Sequence, residues 1–288
     1  MSLKQFENGS DPEDILSSSL TTLYDYAPIT YSDPGKVFTY TSTPRKLGGA
    51  HLGPLTVTLD TPDTQPSNWS LYASYIWMSS IYIADHLEEL CLDQYRASGL
   101  GDAIHVLELG AGAGLPSILI AKTHPFVKVT VSDYPDVGLI KSLSENVRRN
   151  DVADRCRAVP YAWGTSIVPL IEGYGHPDVI VAADTLWNPD LHVLFIESLI
   201  LLLKKSSNAR VEIIAGLHTG RYTIQAFLNS ARESGLEVRR AVEREVSGSR
   251  QRNWDVSRAE QEGERERRQW IIWITLAWPR SPEGCPQG

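Results

Sequence analysis

Three glycines and two acidic residues form the most chemically suggestive pattern in the chain. Gly110, Gly112 and Gly114 follow the apolar run "DAIHVLEL" and precede the apolar run "LPSILIAKTH". Glu108 stands two positions before the first glycine, and Asp133 ends the next apolar run, "FVKVTVSD". Glycine lets the backbone pass close to a ligand, and a carboxylate accepts hydrogen bonds from ammonium and hydroxyl groups. The pattern therefore indicates a binding loop for a small ligand between a strand and a helix.

The spacing of the glycines discriminates between cofactors. A dinucleotide-binding fingerprint needs glycine at positions 110, 112 and 115, but Leu115 occupies the last of these. Asp133 lies 23 residues after Gly110, where an acidic side chain can accept hydrogen bonds from both ribose hydroxyls. Together these features favour S-adenosylmethionine, which is positively charged and carries no phosphate. The alternative, a glycine turn followed by a helix-capping Asp, does not explain why all the parts coincide.

A second group of reactive side chains occurs in "ADTLWNPDLH", residues 183–192, directly after the apolar run "DVIVA". Asp184 and Trp187 are candidates for contact with the group that reacts, and Asp184 has the alternative role of bracing the loop. Asn188 reads as a helix cap before Pro189. His192, one turn further on, is a candidate base or a buried structural residue. We take Asp184, Trp187 and His192 as the catalytic candidates.

The segment "GLHTGR" at 216–221 ends another apolar run and adds two candidates. His218 and Arg221 can face an acceptor, and Arg221 can pair with a carboxylate on it. The alternative is hydrogen bonding within the loop together with an arginine at a helix start.

Composition limits the class of protein. The 288 residues carry a formal net charge of −8, with a sequence pI near 5.4, which argues against non-specific binding to nucleic acid. The three cysteines show neither metal-ligand spacing nor a disulfide framework, so we expect a reducing compartment and no metal. No apolar run reaches the roughly 18 to 20 residues that a membrane span needs. We expect a cytoplasmic protein, with a nuclear location as the alternative, that has no membrane or nucleic-acid partner.

The apolar runs also predict the fold. Strands and helices alternate from residue 102 to 235, and two strands without an intervening helix close the chain, at "LEVRRAVEREV" and "QWIIWITLAWP". This order predicts an α/β fold: a Rossmann-like, seven-stranded, mainly parallel sheet with an antiparallel last strand and helices on both faces. Apolar spacing in "WSLYASYIWMSSIYIADHLEELCLD" predicts one long helix from 69 to 93.

The sequence supports separate predictions for the N-terminal residues and for a charged stretch near the end of the chain. Residues 1–70 read as an N-terminal extension with a short hairpin, followed by a catalytic domain over 71–288. The charged stretch 247–268 reads as a solvated loop between the last two strands. Its alternative is a flap that orders over a bound acceptor, with Trp254 as its apolar anchor.

The chain resembles the class I, seven-β-strand methyltransferases that use S-adenosylmethionine, and within them methyltransferase family 16. Within that family it looks like the fungal group labelled nicotinamide N-methyltransferase-like, which is related to lysine methyltransferases of a translation elongation factor. Members of the family often act as monomers, so the resemblance implies a monomer. The matching segments are "EDILSSSL", "YIWMSSIYIADHL", "VLELGAGAGLPSI", "VSDYPD", "ENVRRN", "WG", "ADTLWNPDLH", "AGLHTGR" and "RRQW".

The resemblance implies further contacts with the cofactor. Trp77 resembles a tryptophan that borders the cofactor pocket, and Trp163 resembles the residue near the adenine. Ala182 and Ala183 correspond to small residues that end a strand beside the cofactor. Tyr134 follows the ribose-binding acid. The cofactor-binding set is then Trp77, Glu108, Gly110, Gly112, Gly114, Asp133, Tyr134, Trp163 and Ala183.

The acceptor of the methyl group stays open at this stage. Lysine methyltransferases of the family typically carry Asp-x-x-Tyr where this chain has Asp184-Thr185-Leu186-Trp187. Trp187 removes a hydroxyl and adds area, which favours a flat, heteroaromatic acceptor of the nicotinamide type, whereas the net acidity favours a basic protein with a lysine or N-terminal amine. The further alternatives are methylation of a fungal secondary metabolite at oxygen or nitrogen, and a scaffold that binds the cofactor without turnover.

Overall fold

A computed structural model describes residues 30–280 of the chain, except 44, 48–49, 65 and 98–103. The strands are β1 Val37–Thr41, β2 Arg45–Leu47, β3 Ala50–Leu52, β4 Thr56–Asp60, β5 Ile104–Leu109, β6 Val127–Asp133, β7 Cys156–Pro160, β8 Val179–Ala183, β9 Arg210–Gly216, β10 Glu237–Glu245, β11 Gln251–Asn253 and β12 Trp270–Ala277. The helices are α1 Met78–Asp85, α2 Asp93–Ala97, α3 Leu115–Thr123, α4 Val137–Arg149, α5 Val168–Ile171, α6 His192–Leu202, α7 Arg221–Glu233 and α8 Glu264–Arg267. Short 3₁₀ turns lie at Pro66–Leu71, Leu87–Leu90, Pro189–Leu191, Leu217–Thr219 and Val256–Glu260.

The main sheet has the strand order β11-β10-β12-β9-β8-β5-β6-β7. Strands β7, β6, β5, β8 and β9 run parallel to one another, and β12 pairs antiparallel with both β9 and β10. The mainly parallel sheet with an antiparallel last strand is therefore confirmed. The expected count of seven is exceeded by one, because β11 adds three residues antiparallel to the outer edge of β10.

Helices cover both faces of the sheet, as the sequence predicted. Every residue of β5 and β8 is buried, which is typical of parallel strands covered on both sides. One apolar cluster joins the sheet to α1, α3 and α4, through residues such as Leu119 and Leu143. The other joins it to α6 and α7, through Phe195 and Phe227. The core therefore fixes the strands rigidly and leaves their ends free to carry polar groups.

The prediction of one long helix over 69–93 is wrong. The segment forms a 3₁₀ turn, an extended stretch, the eight-residue helix α1 and a second 3₁₀ turn. The extended stretch is held from outside, since the Tyr31 N–H donates to the Ile76 carbonyl at 2.9 Å and Thr30 pairs with Trp77. The backbone of Tyr72 is left-handed, with φ of 53°, which no helix accommodates. The aromatic spacing in this segment reflects contact with a cavity as well as burial.

The region before the sheet packs on α4. Strands β1 and β4 pair antiparallel, and the side chains of Asn146 and Asn150 exchange hydrogen bonds with the backbone of Asp60 and Thr58. The division of the chain at residue 70 stays a prediction. The segment "EDILSSSL" at 13–20, part of the family resemblance, lies outside the described residues.

The segment 247–268 has no buried residue, as a solvated loop predicts, but it forms β11, a 3₁₀ turn and α8 and is tied to the sheet by ion pairs. Arg221, at the start of α7, is fully buried and pairs with Glu243 at 2.6 Å and Glu262 at 2.7 Å. Arg252 joins the same two carboxylates. The Trp254 indole donates to the Gln225 side chain at 2.8 Å, so it anchors the segment on α7.

No helix among the described residues is long and apolar enough to cross a membrane.

Candidate active site

A cavity of about 420 Å³ opens at the carboxyl ends of the parallel strands. Loops after β5, β6, β7 and β8 form one side of it, and the segment that precedes α1 forms the other. Its wall consists of Asn68, Leu71, Tyr72, Ala73, Tyr75, Trp77, Ser80, Gly110, Ala111, Gly112, Asp133, Tyr134, Tyr161, Ala162, Trp163, Ala183, Asp184, Thr185, Trp187, Leu191 and Leu194. Ligand sites in open α/β sheets lie at this edge, and the volume falls within the usual range for small ligands.

The glycine loop brings bare backbone to the floor of the cavity. Gly110 and Gly112 both adopt left-handed conformations, with φ of 69° and 55°. A Cβ on Gly110 would lie 2.9 Å from Thr185 Cγ2, and one on Gly112 would lie 3.2 Å from the Ala73 carbonyl oxygen. Both positions therefore require glycine for conformation and for space. Gly114, with φ of 84°, begins α3 below the loop and does not line the cavity.

Asp133 ends β6 and lines the cavity beside the glycine loop. Its two carboxylate oxygens accept hydrogen bonds from the Gly112 and Tyr134 backbone N–H groups, each at 2.6 Å. Burial raises the pKa of Asp133 to about 6, although the two N–H groups oppose that shift. The carboxylate is thus ionised at neutral pH, fixed in direction, and able to accept further hydrogen bonds on its remaining lone pairs.

Glu108 does not lie where the sequence analysis expected it. The side chain is buried below the glycine loop and is not part of the cavity wall. Oε2 accepts a hydrogen bond from the Ser117 N–H at 3.0 Å, and Oε1 has no partner among the described residues. Burial raises the pKa of Glu108 to about 8, against the opposing hydrogen bonds from Ser117. A neutral, enclosed carboxyl supports the loop from beneath, so the expected direct contact with an ammonium group is corrected.

Four of the other residues expected to contact a cofactor do line the cavity: Trp77, Tyr134, Trp163 and Ala183. Trp163 packs against Phe195 of α6 with ring centroids 4.5 Å apart, which fixes the indole beside the glycine loop. Tyr134 is 41% exposed at the edge of the cavity. Ala182, by contrast, faces the apolar cluster on the other side of β8. Trp77 lies in extended backbone just before α1 rather than within a helix.

Asp184, directly after β8, joins three elements of the fold in the wall of the cavity. Its Oδ1 accepts a hydrogen bond from the Gly216 N–H at 2.6 Å, and its Oδ2 accepts one from the Ser79 N–H at 3.3 Å. The second bond satisfies a free N–H in the first turn of α1, a role that a capping residue usually fills. The backbone of Asp184 is left-handed at this position, with φ of 52°, which is a strained conformation for a residue other than glycine. The bracing role foreseen as its alternative is therefore present, at a residue that also lines the cavity.

Aromatic rings form the rim of the cavity on the Asp184 side. Tyr72 meets Trp187 edge to face at 5.3 Å and Trp77 edge to face at 6.1 Å. Trp77 stacks on His218 at 5.6 Å with an interplanar angle of 17°. The Trp77 indole N–H donates to the Tyr72 carbonyl at 2.9 Å, which holds the left-handed turn at Tyr72. We call Tyr72, Trp77 and Trp187 the aromatic rim.

His192 lies away from the cavity wall. The imidazole is 5% exposed, its Nε2 is 3.1 Å from the Leu186 carbonyl oxygen, and its ring packs edge to face on Phe227. Burial lowers the pKa of His192. The expectation of a catalytic base is corrected, because this side chain closes the loop after β8 instead of facing a reacting group.

The other polar candidates, Asn188, Arg221 and His218, are not part of the cavity wall either. The Asn188 side chain accepts a hydrogen bond from the Asp190 N–H at 3.0 Å, which confirms it as a cap. Arg221 has its guanidinium bound by Glu243 and Glu262, so the proposed pairing with an acceptor's carboxylate is wrong. His218 lies behind Trp77 with a buried Nδ1 that has no partner among the described residues.

Several residues of the wall escaped the sequence analysis: Asn68, Tyr72, Tyr75, Ser80, Tyr161, Thr185, Leu191 and Leu194. Tyr72, Tyr75 and Ser80 lie in the segment that the sequence predicts as one long helix, and Asn68 lies in the predicted N-terminal extension. The left-handed Tyr72 carries no local sequence signal that distinguishes it from a helical position.

The residues present fit S-adenosylmethionine. Bare glycine backbone, an ionised Asp133 with free lone pairs and flat rings at Tyr134 and Trp163 surround one end of the cavity. These groups match a methionine chain, a ribose and an adenine respectively. The aromatic rim suits a sulfonium or ammonium group, because aromatic faces attract cations.

Comparison with known proteins shows the family of this chain. The model of a family described as lysine methyltransferase matches residues 65–234. The protein N-terminal and lysine N-methyltransferase efm7 of Schizosaccharomyces pombe is 32% identical over 183 residues, which cover 60% of this chain and 68% of that protein. The protein of the same name from Gibberella zeae is 29% identical over 240 residues, covering 77% and 82%. A solved SAM dependent methyltransferase from Aquifex aeolicus superposes with a TM-score of 0.43 at 18% identity, covering 64% of this chain and 87% of that one.

Proposed function

This chain belongs to the lysine methyltransferase family and is a methyltransferase that uses S-adenosylmethionine, and from that premise we propose that its acceptor is an amine of a protein. The relatives named above act, by their names, on protein N-termini and lysines. A small heteroaromatic acceptor, which Trp187 favoured in the sequence, has no counterpart in those names. A scaffold without turnover is likewise not favoured by a family of named enzymes.

The aromatic rim is the observation that carries the proposal. Tyr72 contacts both Trp77 and Trp187, and all three rings line the same cavity as Asp184. Among the described residues of the wall, none is Lys, Arg or His. An ammonium group therefore meets ring faces and carboxylates there, whereas a carboxylate acceptor would find no cationic partner in that part of the wall.

Methyl transfer requires a fixed donor, an acceptor nitrogen in line with it and a free lone pair on that nitrogen. The bound cofactor supplies the electrophilic methyl group on its sulfonium. The wall must hold the acceptor nitrogen in line with that group, at roughly 3 Å, with its lone pair free. The rim removes water from the amine, and desolvation favours the neutral form that can react. Asp133 and the glycine backbone fix the donor, while Asp184 fixes the segment that carries Trp77.

An isotope-transfer experiment tests the proposal. Purified protein is incubated with labelled S-adenosylmethionine and a fungal cell extract, and the label is followed in proteins and in small molecules. We expect label in protein, dependent on the enzyme. Label confined to small molecules would contradict the proposal, and binding of the cofactor without any transfer would support the scaffold instead. The Asp133→Ala variant is the control for transfer by enzymes of the extract.

We further propose that the enzyme acts as a cytoplasmic monomer. The reducing-compartment pattern of its cysteines supports the location. Gel filtration with light scattering of the purified protein tests the oligomeric state, and a dimer would contradict this part of the proposal.

A further inference from the structure

A second cavity, of about 480 Å³, lies at the opposite edge of the sheet from the cofactor cavity. Strand β9 connects the two: Gly216 at its carboxyl end binds Asp184, and Arg210 at its amino end lines the second cavity. The seven residues of this strand span roughly 20 Å, and no described residue lines both cavities. The second cavity is therefore separate from the site of methyl transfer.

A β-bulge in β10 brings two adjacent arginines to this cavity. Between Val238 and Arg240 the pairing with β12 shifts by one residue, so Arg239 is an extra residue without a partner on β12. Adjacent residues of a regular strand point to opposite faces of the sheet, yet Arg239 and Arg240 both line the cavity. Bulges redirect side chains in this way and are common beside functional sites.

The two carboxylates of this wall already have arginine partners. Glu212 pairs with Arg210 at 2.8 Å. Both oxygens of Glu89 accept hydrogen bonds from Arg244, which is not part of the wall. The wall therefore keeps two arginines whose charges these pairs do not compensate, in a chain with a net charge of −8.

Arg240 has donors that are both unpaired and accessible. It makes no hydrogen bond within the described part of the chain, and its Nη1 lies 3.9 Å from Glu89, beyond hydrogen-bond distance. Only its Nε is buried, and the side chain is 34% exposed, so both Nη groups can be reached by a ligand. The guanidinium lies over the Trp273 ring at 5.0 Å, which orients it.

Arg239 is fixed in position without being neutralised by a buried acid. Its Nη1 donates to the Ser207 carbonyl at 3.4 Å and its Nη2 to the Trp278 carbonyl at 2.9 Å. Its nearest carboxylate is that of the half-exposed Glu237, at 3.5 Å from Nε. Each Nη keeps a second N–H, and the side chain is 24% exposed.

Two guanidinium groups beside neutral amides match the chemistry of a phosphate group. Gln94 and Asn208 line the same wall and carry amide groups that can donate further hydrogen bonds. Arginine binds phosphate oxygens through parallel hydrogen bonds, and a phosphate ester carries a charge of about −1.5 to −2 at pH 7. That charge matches two arginines. The volume of the cavity lies in the usual range for small-molecule sites.

We propose that the second cavity binds a small molecule through a phosphate group, which Arg239 and Arg240 hold. The site is independent of the identity of the methyl acceptor. Inorganic phosphate and phosphate esters both offer this group, and their relative affinities distinguish the two sources.

Isothermal titration of the full chain with inorganic phosphate and with glucose 6-phosphate tests the site. The ionic strength is held constant, and S-adenosylhomocysteine is present in excess so that the cofactor cavity is filled. We expect saturable binding with a Kd of about 1 mM or lower. Tighter binding of glucose 6-phosphate assigns the site to phosphate esters, and equal or tighter binding of inorganic phosphate assigns it to the free anion. Binding of neither probe would overturn the proposal.

Variants of the two arginines test which groups hold the phosphate. Arg240→Gln and Arg239→Gln each remove one positive charge, so we expect the affinity for the tighter probe to fall at least about tenfold in each. Arg148→Gln is the control, because Arg148 is 67% exposed on α4 and lines neither cavity, and it should bind as wild type does. The Tm of each variant without phosphate shows whether it folds, and either folded variant suffices. Unchanged affinity in a folded Arg240→Gln or Arg239→Gln variant would overturn the proposal.

Discussion

Two parts of the cavity wall are built in different ways: the donor end, which consists of the glycine loop and Asp133, and the acceptor end, which consists of Asp184 and the aromatic rim. The donor end comes from consecutive strand ends, with the glycine loop after β5 and Asp133 at the end of β6 joined by one hydrogen bond. The acceptor end is assembled from distant parts of the chain, because Asp184 after β8 holds Gly216 at the end of β9 and Ser79 in α1. The first end depends on local backbone geometry, and the second depends on tertiary contacts over more than a hundred residues of sequence. Substitutions at the donor end should therefore lower the affinity for the cofactor, whereas substitutions at the acceptor end should lower kcat/KM for the protein acceptor.

We expect the largest effect at the donor end from Gly112→Val. A β-branched side chain is strained at φ of 55°, and its Cβ would lie 3.2 Å from the Ala73 carbonyl oxygen. Strain and crowding of a few kcal/mol should weaken binding of S-adenosylhomocysteine by at least about 30-fold. Isothermal titration measures this. Gly173→Val is the matched control, since Gly173 also has positive φ but open space around it, and its donor affinity should match that of wild type.

Asp184→Asn should give the next largest effect, at the acceptor end. Asparagine tolerates the left-handed backbone but offers one acceptor oxygen, so one of the two N–H groups of Gly216 and Ser79 loses its partner. We expect kcat/KM for the protein acceptor to fall about 10- to 100-fold, with donor affinity within twofold of wild type. Asp190→Asn, at an exposed position on the same segment, is the control and should leave both quantities unchanged. A comparable loss of donor affinity in Asp184→Asn would show that the two ends are not separable.

A smaller effect is expected from Trp187→Tyr, which restores the residue typical of lysine methyltransferases of this family. The smaller ring weakens the edge-to-face contact with Tyr72 but preserves an aromatic rim. Since such pairs contribute about 0.5 to 1.5 kcal/mol, we expect the KM for the acceptor to rise roughly two- to tenfold, measured by initial rates. Trp187→Ala should exceed that range. If it does not, the rim plays no part in binding the acceptor.

His192→Gln should have the smallest effect on turnover. The imidazole lies outside the cavity wall, so the pH profile of kcat/KM should keep its shape. Burial lowers the pKa of His192 below 6.5, so protonation opposes folding. The free energy of unfolding of wild type should therefore fall, relative to the variant, as the pH drops below about 6.5, as urea titrations can measure. If kcat/KM of the variant no longer fell at low pH as that of wild type does, His192 would be a catalytic base after all.

The same contrast explains how far the sequence could predict the structure. The donor end was predictable, because glycine spacing, a strand before, a helix after and an acid one strand later are all local signals. Gly110, Gly112 and Asp133 lie where those signals placed them. Glu108 was expected to contact the cofactor but lies buried below the glycine loop, since the direction in which a strand residue points depends on the sheet around it.

The acceptor end was predictable only in part. Asp184 and Trp187 were found because they follow a buried strand, but their partners Tyr72 and Gly216 were not. Apolar spacing in 69–93 matched a helix while tertiary hydrogen bonds held part of it extended. The charged segment 247–268 matched a solvated loop, while Arg221 and Glu243 bury a complementary charge network beneath it.

The most direct test of the account is the affinity of S-adenosylhomocysteine for wild type, Asp133→Ala and Asp184→Asn, measured by isothermal titration under one set of conditions. Asp133→Ala removes a charged acceptor from a buried wall and leaves the Gly112 N–H unpaired, so affinity should fall roughly 10- to 100-fold. Asp184→Asn should bind as tightly as wild type. Unchanged affinity in Asp133→Ala would contradict the assignment of the cavity as the methyl-donor site.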